Sequence, residues 1–305
     1  MLGRYSVLLF GLASLIGCAG HAPRAEDGLH AELERLVASF GGDVGIFARR
    51  LDRSGEIAFR ADETFPTASL VKIPILCAVY DAIERGALDL HAAHEYSSSR
   101  ARTDGEDVLA LAKDGAKISL SKLVHLMIAL SDNTASVWCQ ELVGGGEAVN
   151  RWLASAGFDH TRVNSRTSGR EAAYEAFGWG QTSPREMAEF LVRIREQRLI
   201  SPRADEDMHR VLTRTYWDDE AVGQIPPWVS VASKQGAVSK SRSEVLLVSA
   251  PAGDYVLCVI TKNQADASWD SDNAGFVLLR DVSRAVWRHW GGAEYSPATG
   301  TEAWR

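Results

Sequence analysis

The 305-residue chain has no long basic run and a formal net charge of −7, which gives nucleic-acid binding little support. It has no internal repeat and no low-complexity stretch, so solenoid and array architectures are excluded. The first apolar run, Ser6 to Gly17, falls short of the roughly 20 residues a membrane span needs. What remains is ordinary globular composition, 46% hydrophobic and 24% charged. That is enough for one large domain or two small ones.

Arg4 followed by the Ser6–Gly17 run reads as the leader of an exported protein. The run ends at Leu15-Ile16-Gly17-Cys18, which resembles a bacterial lipobox, where the cysteine becomes the lipidated first residue. The reading divides the chain into a signal peptide (1–17), a lipidated Cys18 with a polar tether (18–27), one catalytic domain (28–292) and a tail (293–305). The expected location is periplasmic, anchored by lipid to a bacterial membrane, the outer one favoured because Ala19 is not the Asp that resembles an inner-membrane retention signal. Four cysteines are present. With Cys18 lipidated, Cys77, Cys139 and Cys258 cannot all pair, and each sits in an apolar stretch, as buried small hydrophobes do.

Periodicity orders the elements. Asp27 caps a helix to about Phe40, with Leu29, Leu33, Leu36 and Val37 on one face. A hairpin follows, Val44–Arg50 and Glu56–Arg60 about the Asp52–Gly55 turn. Residues 68–213 are helical in pattern. Strands return at Val229–Val238, Glu244–Ser249 and Tyr255–Thr261, and Asp272–Trp290 closes as an amphipathic helix. Short connections favour antiparallel pairing. The expected fold is α/β of the α+β type: one antiparallel five-stranded sheet from both ends of the chain (28–67 and 214–292), flanked by the terminal helices. An all-helical part (68–213) is inserted, with a cleft between the two.

Three short patterns carry chemistry. Ser69-Leu70-Val71-Lys72 puts a hydroxyl and an amine on one helix face. Alone it is weak, but Lys72 lies in an otherwise apolar stretch, and a buried lysine needs a partner or a task. Ser131-Asp132-Asn133 falls at the junction of two helices, where all three residues are also good caps. Lys234-Gln235-Gly236 lies in a strand, and a small residue there lets a ligand approach the edge. His91 and His94 read as a polar loop. No metal or cofactor is implied.

In this order, and on these elements, the three patterns resemble those of class A β-lactamases and, more loosely, low-molecular-mass penicillin-binding proteins. Phe65-Pro66-Thr67-Ala68-Ser69, Leu130 to Ala135 and Gln181-Thr182-Ser183-Pro184 resemble family sequence too. The resemblance implies Ser69 as nucleophile, Lys72 as its base, and the backbone N–H groups of Ser69 and Ala237 as oxyanion hole. It implies that Ser131 protonates the leaving nitrogen and Asn133 holds the substrate's side-chain amide. Lys234, with Gln235, Gly236 and Arg242, would meet the substrate's carboxylate.

Two departures stand out. Gln235 replaces the family's Thr or Ser. The Ω-loop Glu-x-x-x-Asn is missing: counting back from Pro184, the Glu position falls near Arg166 or Thr167, neither of which is a base. Glu171 is the nearest candidate for a displaced base. The expectation is a monomeric serine hydrolase whose substrates are β-lactams, with slow deacylation. The alternatives are a D-Ala-D-Ala peptidase of the cell wall and a lipoprotein that binds penicillin or peptidoglycan without turnover.

Overall fold

The computed structural model describes residues 25–52, 55–102 and 107–295; the leader, Cys18 and the last ten residues lie outside them. Helix α1 (Ala25–Ser39) leads into β1 (Asp43–Arg50) and β2 (Glu56–Phe59). A 3₁₀ turn, Ala68–Val71, opens the inserted part, which holds α2 (Lys72–Glu84), α3 (Leu120–Ala129), α4 (Asn133–Leu142), α5 (Gly145–Ser155), α6 (Glu171–Phe177), α7 (Pro184–Arg195) and α8 (Pro202–Leu212); it is not all-helical as expected, because residues 93–95 pair with 117–119 and residues 162–163 with 180–181 as short antiparallel ribbons. Then come β3 (Val231–Val238), β4 (Ser241–Val248), β5 (Tyr255–Lys262) and α9 (Ala274–Trp290).

The five strands form one antiparallel sheet in the order β2-β1-β5-β4-β3. The first and last thirds of the chain therefore meet at the centre, where Val44 to Arg50 pair with Thr261 to Tyr255. Strands β4 and β5 are buried almost throughout, because both faces are covered. On one face α1 and α9 bury Leu29, Leu33, Leu279, Val282 and Trp287 against Ile46, Leu246 and Leu257. On the other, Phe47, Val245 and Cys258 join the core of the helical part. Fully burying one such side chain is worth about 1.5–3 kcal/mol, so the first core holds the terminal helices on the sheet and the second holds the inserted helices against its other face.

The placing of Ser69 and Lys72 on one α-helix face is corrected: a 3₁₀ turn holds Ser69, and α2 begins at Lys72. Pro74 falls in the first turn of α2, where its missing N–H is not needed. Cys77, Cys139 and Cys258 are free and buried. Burial pushes the Cys139 thiol up to about 12 and raises the other two as well, which leaves them inert.

Candidate active site

Ser69 and Lys72 meet because a 3₁₀ turn stacks residues i and i+3 in line. Lys72 Nζ lies 3.0 Å from Ser69 Oγ. The lysine is fully buried, and its amine also reaches Ser131 Oγ at 3.0 Å, Ser131 O at 2.5 Å and Asn133 Oδ1 at 2.7 Å. One amine thus gathers both hydroxyls and the Asn133 amide oxygen.

The Ser131–Asn133 junction is held from several sides. Asp132 caps α4 through the Ala135 N–H at 2.7 Å and takes the Leu109 N–H at 2.8 Å. Asp107 accepts from the backbone N–H groups of Asn133 and Thr134. A carboxylate here also faces the positive end of α4. Burial is nonetheless the largest influence on Asp107 and raises its carboxyl. From the other side, Tyr216 N–H donates to Ala129 O and Trp217 Nε1–H to Leu130 O, both at 3.0 Å. Ser131 itself adopts φ 60°, a left-handed backbone that suits glycine better than serine.

Strand β3 lies against the nucleophile. A Cβ on Gly236 would stand 2.9 Å from Thr67 O and 3.0 Å from Ser69 N. The glycine therefore admits the chain's own nucleophile turn, where the sequence suggested a ligand. Ala237, the next residue, lines the same cleft as Ser69. Lys234 is buried and donates to Gln235 O at 2.7 Å. Burial pushes its pKa down to about 7, with Glu244 opposing. Glu244, across the ladder from Gln235, is raised to about 7 by burial, against hydrogen bonds from Ser233 Oγ at 2.8 Å and Ala221 N at 2.9 Å.

A cleft of about 550 Å³ is lined by Ser69, Ser131, Asn133, Gln235, Gly236 and Ala237, among others. Two residues named from the sequence stand elsewhere. Arg242 is fully buried, with its guanidinium stacked on Trp269 at 4.5 Å and Phe276 at 4.6 Å. Its Nη2 donates to Ser268 O and Nη1 to Ser241 O and Val238 O, while its Nε is buried without a hydrogen-bond partner among the described residues. Glu171 is exposed in the first turn of α6 and accepts from Gly169 N at 3.1 Å. It lines a second cavity of about 510 Å³ under the Ω-loop, with Arg102, Tyr174 and Trp179.

That loop is tied down by polar contacts. Gln140 donates to Ser165 O at 2.9 Å, Thr167 Oγ1 to the same oxygen at 3.0 Å, and Asn150 brackets Val163 at 2.8 Å both ways. Arg166 is exposed and pairs with Glu141. The Trp179 ring lies 6.0 Å from Lys72 Nζ and 5.5 Å from the Arg102 guanidinium. Sequence reasoning missed Trp179, Trp217, Asp107 and Glu244. None belongs to a spaced pattern, and Glu244 follows directly on the polar Ser241-Arg242-Ser243 start of its strand, which hid it.

The chain matches the beta-lactamase enzyme family over residues 28–290. It is 25% identical to a beta-lactamase of Streptomyces fradiae, over 90% of this chain and 85% of the relative. With a beta-lactamase of Bacillus licheniformis it shares 24% identity over 92% of each. Among solved structures, a beta-lactamase from Sphaerobacter thermophilus superposes with TM-score 0.77 and 28% identity, covering 88% of this chain and 98% of that one. The acyl-enzyme complex of a PBP-A mutant with penicillin G gives TM-score 0.76 at 24% identity, over 86% of this chain and 95% of that one. With the family spanning the sheet, the inserted helices and the whole Ser69–Lys72–Ser131 cluster, this chain belongs to the beta-lactamase enzyme family, within the serine β-lactamase and penicillin-binding superfamily.

Proposed function

We propose that the protein forms an acyl-enzyme at Ser69 with β-lactams and releases it slowly. The observation that carries this reading is the single amine of Lys72, in hydrogen-bond reach of both Ser69 Oγ and Ser131 Oγ. In its neutral form that amine takes the Ser69 proton as Oγ attacks the lactam carbonyl. Ser131 then delivers a proton to the leaving nitrogen. The N–H groups of Ser69 and Ala237 are the donors for the carbonyl oxygen as it gains charge. The curated relatives, beta-lactamases by name, support the substrate class.

Slow release follows from the Ω-loop. Where a general base is wanted the loop offers Arg166, turned to solvent, and Thr167, whose hydroxyl bonds Ser165 O. Glu171 is exposed and accepts from the Gly169 N–H just ahead of its helix. A positioned base contributes about 10²–10⁴-fold to rate, so its loss slows deacylation far more than attack.

The test is intact mass over time after mixing with penicillin, together with steady-state hydrolysis of a chromogenic cephalosporin. A stoichiometric burst, a lasting adduct on Ser69 and slow turnover are expected. Normal labelling of Ser69→Ala would overturn the reading. We also propose that Cys18 is lipidated and holds the protein at a bacterial membrane in the periplasm; the Ser6–Gly17 run and the residues at 15–18 support this.

A further inference from the structure

The chain enters and leaves its fold at one end of the sheet. A Cβ on Gly28, near the start of α1, would stand 3.7 Å from His289 Nε2, near the end of α9. Glu32 pairs with Arg288 a turn further on. At the opposite end, Gly42 and Gly275 both press on Gln264, so α1 and α9 lie antiparallel. Helix α1 begins at Ala25, seven residues after Cys18, and seven extended residues reach at most about 25 Å. An anchor at Cys18 therefore keeps this end of the molecule close to the bilayer.

The same end carries an exposed aromatic pair. Pro226 O accepts the Val229 N–H at 2.9 Å, closing a turn with Pro227 at its second position, where the fixed proline φ fits. Trp228 stands next in that turn and is 71% exposed, although its neighbour Val229 packs on the core under α1 and α9. Tyr295, just past α9, meets Trp228 edge-on, with ring centroids 6.0 Å apart. Neither ring serves the cleft: from Val231 to Gly236 strand β3 climbs about 17 Å away from them, towards the nucleophile turn.

Tryptophan and tyrosine favour the membrane–water interface, where the ring meets apolar chains and its polar tip stays wet. Two rings cover at most about 500 Å², short of the roughly 800 Å² per partner of a stable protein interface. A molecule already tethered by lipid needs no such area. The exposed charges beside the pair and the start of α1 include Glu294 and Asp27, which suit a zwitterionic surface better than an anionic one. Resting on the lipidation of Cys18, we propose that Trp228 and Tyr295 seat in the headgroup layer of a zwitterionic lipid surface. The protein then stands on this end of its sheet, with the cleft held away from the bilayer.

The protein, taken from the membrane fraction and reconstituted in phosphatidylcholine vesicles, tests this when the acyl chains carry bromine, which quenches indole fluorescence on contact. The chain has nine tryptophans, so the quenched one is identified by difference. Wild type should lose part of its emission in brominated lipid. Trp228→Phe should lack that loss while still labelling with fluorescent penicillin, and Trp269→Phe, altered at the cleft, should keep it. Tyr295→Asp leaves the fluorophore in place and should lower the quenching, because a charge then meets the headgroup layer. Quenching that is equal in wild type and Trp228→Phe, or that Tyr295→Asp leaves unchanged, would overturn the proposal. So would a wild type that sediments as a dimer and a Trp228→Phe protein that sediments as a monomer, since the pair would then face a second copy. A Cys18 found free of lipid by mass would instead remove the anchor reading, and this proposal with it.

Discussion

Lys72 holds Ser131 by two oxygens, donating to its hydroxyl at 3.0 Å and its carbonyl at 2.5 Å. The base of the proposed attack is thus also a strut of the loop that delivers the next proton. Lys72→Ala should slow acylation by fluorescent penicillin about 10²–10⁴-fold and also lower the melting temperature, because a buried carbonyl loses its donor. Ser131→Ala, which keeps that carbonyl, should slow acylation with little change in melting. Equal melting of Lys72→Ala and wild type would refute the strut.

Gly236→Ala addresses the approach of β3 to the nucleophile. The added methyl would stand within 2.9 Å of Thr67 O and 2.7 Å of Ser243 Oγ, so strand and turn must separate. A displacement near 1 Å costs about 10²-fold in rate. Acylation should drop by at least that much, followed as the rate of adduct formation, while far-UV circular dichroism stays native. Retained acylation would show that the turn can yield without harm.

Glu244→Gln should report on the buried carboxyl. Glu244 is raised from 4.5 to about 7 in the folded protein. Between these values the folded state binds the extra proton, so this group's contribution to stability falls as pH rises from about 4.5 to 7. The amide can accept from Ala221 N–H and donate to the Ser233 hydroxyl. Relative to wild type, the variant should therefore gain stability as pH climbs through this window, by up to about 3 kcal/mol. Urea unfolding at pH 5 and pH 8 measures it. A constant difference between the two proteins would mean that Glu244 does not titrate in this range.

Glu171→Gln should leave the cephalosporin burst and the slow steady rate as they are, because this carboxylate is exposed and bonded to Gly169 N. Turnover that is fast in wild type and lost in the variant would make Glu171 the deacylating base.

Cys18→Ser should move the protein from the membrane fraction to the soluble periplasmic fraction. A wild type that is already soluble would refute the anchor.

Much of this fold was legible in the chain, because strand alternation, helical periodicity and turn residues act locally. The hairpin at 44–60, the late strands and the closing helix lie within a few residues of where the pattern put them. So were Ser69, Lys72, Ser131 and Asn133, since fixed spacing on rigid elements carries position. Arg242 was misjudged because its direction depends on which face of β4 it occupies and on Trp269 and Phe276. Only the first of these is set by local alternation. That Asp219 and Glu220 line the cleft was hidden for the same reason: they lie in a loop, and nothing local says what that loop faces.

Ala68 at φ 44° precedes one reacting hydroxyl and Ser131 at φ 60° carries the other, both in left-handed backbone, at about 1 kcal/mol each. A chain selected only to fold would drift to glycine at both places and melt at a higher temperature. Keeping side chains there is a standing tax on thermal endurance, levied at the spot where floppiness would be ruinous. Stabilised descendants of this protein should therefore acquire their changes far from residues 68 and 131.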